Sequence, residues 1–171
     1  QVNASVGTCA QRFSRPDELV AIAEALPEET SVVAELVDRV EVIAGQLDFN
    51  RFDDRRDNFR FPMGRVPEEL TELGEPLVDY FEAIAKRLDT LHGYLEEVLD
   101  GQREWPDKQQ AEDWLGVTGQ LLNRALANIM LFRDFANSAH EDSRPAARWV
   151  GRLSYEVGDD LEFVSAPLEP G

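Results

Sequence analysis

The stretch from Pro67 to Gly101, PEELTELGEPLVDYFEAIAKRLDTLHGYLEEVLDG, decides the fold. Its apolar residues Leu70, Leu73, Leu77, Phe81, Ile84, Leu88, Leu91, Leu95 and Val98 step by three and four, the spacing of one buried stripe on an α-helix. Pro67 stands at a helix-start position and Gly101 at a helix-stop position, so the pattern predicts a helix over 67–100. At about 1.5 Å per residue this segment spans about 51 Å, whereas a compact chain of this size is about 40 Å across. The helix must bend at Pro76 or the domain must be elongated, and elongation is the expectation.

Upstream, Ser14-Arg15-Pro16-Asp17 places a hydroxyl cap, an early proline and an acidic residue ahead of Leu19, Ile22, Ala23 and Leu26. That signature predicts a helix over 15–26, ending near Pro27. Val33, Leu36, Val40, Ile43 and Leu47 then predict a second helix over 31–47. Residues 48–66 lose the period and hold Phe49, Phe52, Phe59 and Phe61 among arginines, which reads as a long connection tied down by aromatics. Downstream, Asp107 caps a helix predicted over 107–137, with Ala111, Trp114, Leu115, Leu121, Leu122, Ala125, Ile129, Phe132 and Ala136 as its stripe. In the tail, Trp149, Leu153, Tyr155 and Val157 alternate, Gly158-Asp159-Asp160 offers turn chemistry, and Leu161 and Phe163 resume the alternation, predicting a β-hairpin over 147–165. The expected fold is therefore mainly all-α: a single domain over 1–171, an elongated antiparallel helical bundle with a small C-terminal β-hairpin.

Composition narrows the function classes. The chain has 171 residues, 34 acidic against 17 basic, for a net charge of −17. Such an excess repels phosphate backbones unless the cations are locally concentrated. Cys9 is the single cysteine, so the chain cannot build a disulfide, a four-thiolate zinc site or a complete iron–sulfur ligand set by itself. No run approaches the roughly 18 apolar residues of a membrane span, and the cytoplasm is the expected compartment. The opening at Gln1 and the Pro/Gly-rich close at Gly171 suggest a piece of a longer polypeptide.

No Gly-rich phosphate loop, nucleophile elbow or His/Glu metal pair occurs. Cys9 reads as an ordinary small residue, His92 as a surface histidine, and Asp53-Asp54, Glu96-Glu97 and Asp159-Asp160 as solvated acids. Arg133 and His140 resemble the arginine–histidine signature of HEPN-type ribonucleases, whose chemistry needs both side chains on one face at a dimer seam. Arg51, Arg55, Arg56, Arg60 and Arg65, interleaved with phenylalanines, are the candidate nucleic-acid contacts, combining phosphate pairing with base stacking. An arginine–aspartate network that ties the connection to the bundle is the alternative for the same residues.

Three ordered segments carry a family resemblance. Phe59-Arg60-Phe61-Pro62-Met63-Gly64-Arg65-Val66-Pro67-Glu68-Glu69-Leu70 resembles the entry to a long helix in DinG-type DNA helicases. Leu121-Leu122-Asn123-Arg124-Ala125-Leu126, with Leu131-Phe132-Arg133-Asp134-Phe135, is similar to a later helix of the same proteins. Ala147-Arg148-Trp149-Val150 and Ser165-Ala166-Pro167-Leu168 resemble the return strand before helicase motif III. The resemblance implies the arch, an insertion between the DEAH box and motif III of an XPD-related, ATP-dependent superfamily 2 helicase that moves 5′ to 3′ on single-stranded DNA. It further implies that ATP, magnesium and an iron–sulfur cluster belong to neighbouring parts of the polypeptide. The partners it implies are the RecA-like motor and iron–sulfur domains and single-stranded DNA, with no membrane, and the biology it suggests is DNA repair. A free-standing helical interaction module is the rival reading.

Overall fold

A computed structural model describes residues 16–168 apart from Glu141 and Arg144. The expected Ser14 cap and Cys9 lie outside the described residues. Three long helices form, α1 (Pro16–Ala44), α2 (Glu68–Leu99) and α3 (Lys108–Ala136), together with strands β1 (Asn50–Arg51), β2 (Arg56–Arg60), β3 (Ala146–Tyr155) and β4 (Gly158–Pro167). The strands make one antiparallel sheet in the order β1-β2-β3-β4.

Mostly helical character is as expected, but three features differ from the sequence reading. The helices expected over 15–26 and 31–47 are one helix, α1, with Pro27 inside it. Leu19, Ile22, Leu26, Leu36 and Val40 are all buried, and the step of seven from Leu26 to Val33 keeps the stripe in phase across the proline. Burial of that stripe outweighs the roughly 3 kcal/mol that an interior proline costs. Thr30 helps locally, its hydroxyl donating to the Leu26 carbonyl at 2.7 Å.

The second difference is the hairpin expected over 147–165, which belongs to a four-stranded sheet. Its turn is Glu156-Val157, and Gly158 already pairs with Tyr155. The third lies in the connection 48–66, which holds β1 and β2. There β2 pairs with β3 from Arg56 opposite Leu153 to Arg60 opposite Trp149. Partners this far apart in sequence leave no local period to read.

The chain divides into two compact units. Among the described residues the first comprises 16–33 and 80–127, and its core joins Leu19, Ile22 and Leu26 of α1 to Ile84, Leu88, Leu91, Tyr94, Leu95 and Val98 of α2, with Ala111 of α3. Two polar ties set the antiparallel register of α1 and α2 here. Arg87 grips the Glu29 carboxylate through Nε and Nη2, at 2.8 and 2.7 Å, and the Tyr94 hydroxyl donates to Glu18 at 2.9 Å. The Arg103 guanidinium lies 4.8 Å from the centre of the Tyr94 ring.

The second unit comprises the described residues of 34–79 and 128–168. Phe61 is almost fully buried and begins a chain of edge-to-face rings, with Phe59 at 5.4 Å and Phe135 of α3 at 6.0 Å, and Phe163 of β4 continues it 6.0 Å from Phe135. Gly74 lets α2 and α3 approach closely, since a Cβ there would stand 3.1 Å from the Ala136 methyl and 3.2 Å from the Phe132 carbonyl oxygen. Among the described residues no helix is long and apolar enough to cross a membrane.

Leu88 is 5% exposed within the first unit's core. Leu88→Ala is expected to cost about 2–5 kcal/mol. Urea denaturation checks this, and an unchanged midpoint would place the stripe outside the core.

Candidate functional site

Strand β3 turns Ala146, Arg148 and Val150 inward, so a guanidinium enters the interior of the second unit. Arg148 is 3% exposed, a position that requires full pairing of its donors. Nε and Nη2 hold the two oxygens of Asp134 on α3 at 2.6 and 2.8 Å, and Nη1 donates to the Gly64 carbonyl at 2.8 Å. The Ser165 hydroxyl on β4 completes the cluster, donating to Asp134 at 2.5 Å. One planar fork thus joins a strand, a helix and a turn, which a lysine could not reproduce.

Burial alone would raise the Asp134 carboxyl. The hydrogen bonds from Arg148 and Ser165, with the adjacent positive charge, outweigh burial and hold it below the usual carboxylate range. The cluster ties β3, α3, β4 and the Gly64 turn together. Sequence reasoning missed it because arginine on an alternating strand reads as solvent-facing, while the apolar alternation fell on the other residues of β3. Trp149 and Leu153 are only half-buried, Tyr155 is 60% exposed and Val157 is 99% exposed.

What the cluster positions is the turn Pro62-Met63-Gly64. Both Met63, at φ 55°, and Gly64, at φ 68°, adopt the left-handed conformation. Gly64 is obligatory, because a Cβ would stand 2.1 Å from the Ala146 carbonyl oxygen. Met63 has no such licence and carries a strain of roughly 1–2 kcal/mol, yet its side chain is 88% exposed.

The five candidate arginines separate around this frame. At one end of the sheet, Arg51 pairs with Asp54 at 2.9 Å and Arg56 approaches Glu162 at 3.7 Å. Asp53 caps the turn between them by accepting the backbone N–H groups of Arg55 and Arg56, each at 2.8 Å. A cleft of about 490 Å³ opens beside Arg55, Arg56, Ser154 and Tyr155, but Asp53 and Glu156 also line it. Asp159 and Asp160 stand opposite Ser154 and Leu153 in the register. The phenylalanines expected for stacking are mostly engaged elsewhere: Phe61 and Phe59 in the ring chain, and Phe49 beneath Arg152 at 4.6 Å. Phe52 is exposed. At the other end of β2, Arg60 and Arg65 are exposed on either side of the Met63 turn.

The arginine–aspartate network is therefore present in part, extended by Arg152, which donates to Asp57 at 2.6 Å across 95 residues of sequence. His92 is half-exposed, with Nδ1 3.7 Å from Glu96. Arg133 lies in the last turn of α3, whereas His140 follows a 3-10 turn in extended conformation, so the pair does not share a helix face. No group of three or more metal-ligating side chains occurs among the described residues.

Comparison with protein-family models gives no match, and none of the curated proteins matches the chain.

Asp134→Asn is expected to cost about 3 kcal/mol, because it leaves the Arg148 charge buried without a counter-ion. Asp134 has a lowered pKa in the folded state, so its contribution is complete above the unfolded value near 3.9 and is lost as pH falls through the lower folded value. Thermal melts across an acid pH series should show this loss in the parent chain and a flatter profile in the variant. Equal slopes would remove Asp134 from the acid response.

Proposed function

We propose that this chain is the arch of a DinG-type, XPD-related helicase, an insertion between the DEAH box and motif III that helps to shape the passage of single-stranded DNA over the motor. The observation that supports the reading is convergence. Gly64, Asp134, Arg148 and Ser165 come from the separate segments that carry the sequence resemblance, and these four residues meet in a single hydrogen-bonded cluster. Residues kept together by a buried charge form one structural unit, which is what an inserted domain with its own core requires.

In this reading the parent hydrolyses ATP with magnesium and holds an iron–sulfur cluster through other segments, and its work belongs to DNA repair in the cytoplasm. The arch supplies shape and charge. Antiparallel helices tied by ion pairs such as Arg87 with Glu29 resist deformation while a motor cycles. A net charge of −17 discourages a strand from adhering along the outer surface.

Two measurements test the proposal. The reading frame around the chain is expected to encode a DEAH box upstream and a Ser-Ala-Thr-Leu phrase downstream; a frame without motor motifs on either side would favour a free-standing interaction module. The purified chain is expected to hydrolyse no ATP, because it has no triphosphate cradle. Magnesium-dependent turnover above a contaminant control would overturn the assignment.

A further inference from the structure

We infer that the turn from Arg60 to Arg65 is a contact for single-stranded nucleic acid, with Arg60 and Arg65 on backbone phosphates and Met63 against the face of a base. The inference rests on the helicase reading and narrows its DNA contact from five arginines to two, adding a side chain that the sequence did not single out.

Three observations carry it. The first is geometry. Phe61 N–H donates to the Arg148 carbonyl at 3.0 Å, Gly64 N–H to the Phe61 carbonyl at 2.9 Å and Arg65 N–H to the Pro62 carbonyl at 3.1 Å. These bonds, with the Arg148 Nη1 contact to the Gly64 carbonyl, fix the backbone of a turn that carries exposed Met63, with exposed Arg60 three residues before it and exposed Arg65 two after. Such a turn presents its side chains without paying a backbone ordering cost on binding.

The second observation is Met63 itself. It is both the most exposed methionine and, among the described residues, the one non-glycine residue with positive φ. Neither the strain nor the exposure contributes to folding, and strain held in place by a rigid neighbourhood points to use in binding. An unbranched, polarisable thioether adapts to any base face.

The third is charge. In a chain where carboxylates outnumber cations two to one, Arg60 and Arg65 have no carboxylate within ion-pair distance among the described residues. By contrast, Arg51, Arg56, Arg87, Arg148 and Arg152 are all paired, and Arg55, which has no ion pair among the described residues either, lines a cleft shared with Asp53 and Glu156. Two unneutralised guanidiniums on either side of an apolar projection complement an anionic backbone with bases, and fit an acidic protein surface less well because that offers no planar face.

The test uses the purified chain and a fluorescent oligothymidine of about 15 nucleotides, with anisotropy titrations across a salt series starting near 20 mM. The double variant Arg60→Ala, Arg65→Ala is expected to bind about tenfold more weakly. Its log–log salt slope should fall by about 1.4, the loss of two phosphate contacts at roughly 0.7 each. Lys86→Ala with Lys108→Ala, an equal change in charge elsewhere, should stay within about twofold, since long-range attraction is screened. Met63→Gly separates binding from folding: glycine accepts the positive φ, so the melting temperature should hold or rise while affinity falls about fivefold. Unchanged affinity in the arginine variant, no binding by the parent chain at the lowest salt, or equal competition by poly-glutamate would each overturn the inference. The flanking reading frame is unaffected by any of these results, so the contact and the arch assignment fail separately.

Discussion

A guanidinium gives up its hydration only where protein acceptors replace water, and inside the second unit each nitrogen of the Arg148 guanidinium has one. Asp134, Gly64 and Ser165 are placed by that requirement as much as by apolar packing. Its carbonyl fixes Phe61, and Phe61 begins the ring chain that reaches Phe135 and Phe163. The left-handed turn at Met63 and Gly64 follows from the same constraint, because the Gly64 carbonyl must face the guanidinium while its Cα passes beside Ala146. Replacing an ion pair of this kind with apolar side chains is often tolerated energetically, so its value is specificity: it admits one register of strand, helix and turn.

The first unit is organised differently. Its core is an ordinary apolar seam, and polar ties at Glu29 and Glu18 sit at its margins. The α2 stripe was legible because helical periodicity is local and survives any tertiary arrangement. Pro27 was misread for the converse reason: a local breaker was weighed above the phase of the stripe on either side of it. The same phase, read across the proline, predicts one helix.

Strand β2 is hidden in a window of arginines, aspartates and phenylalanines because its long-range partners lie on β3, and β1, which pairs with β2 inside that window, is only two residues long and shows no period. The candidate site divided along the same line. Sequence could locate five arginines but not their carboxylates, since Glu162 and the acids facing Ser154 and Leu153 arrive only with the hairpin. Residues 48–65 hold five arginines against four aspartates, and in space Glu156 and Glu162 join the aspartates at the Arg55–Arg56 end. Arg60 and Arg65 escape that neutralisation because β2 carries them away from the acidic end.

Strand β4 has a consequence for how the molecule behaves among its own copies. It is the last strand of the sheet, ten residues long, and one side of its backbone has no neighbouring strand among the described residues. An edge of that length is a template for pairing with another edge, the first step toward sheet-like aggregates. Asp159, Asp160 and Glu162 line its first half, and Pro167 ends it without an N–H to donate. Two such edges brought together in parallel register would set carboxylates against carboxylates at strand spacing. The acidic first half of β4 thus opposes parallel continuation of the sheet by a second copy.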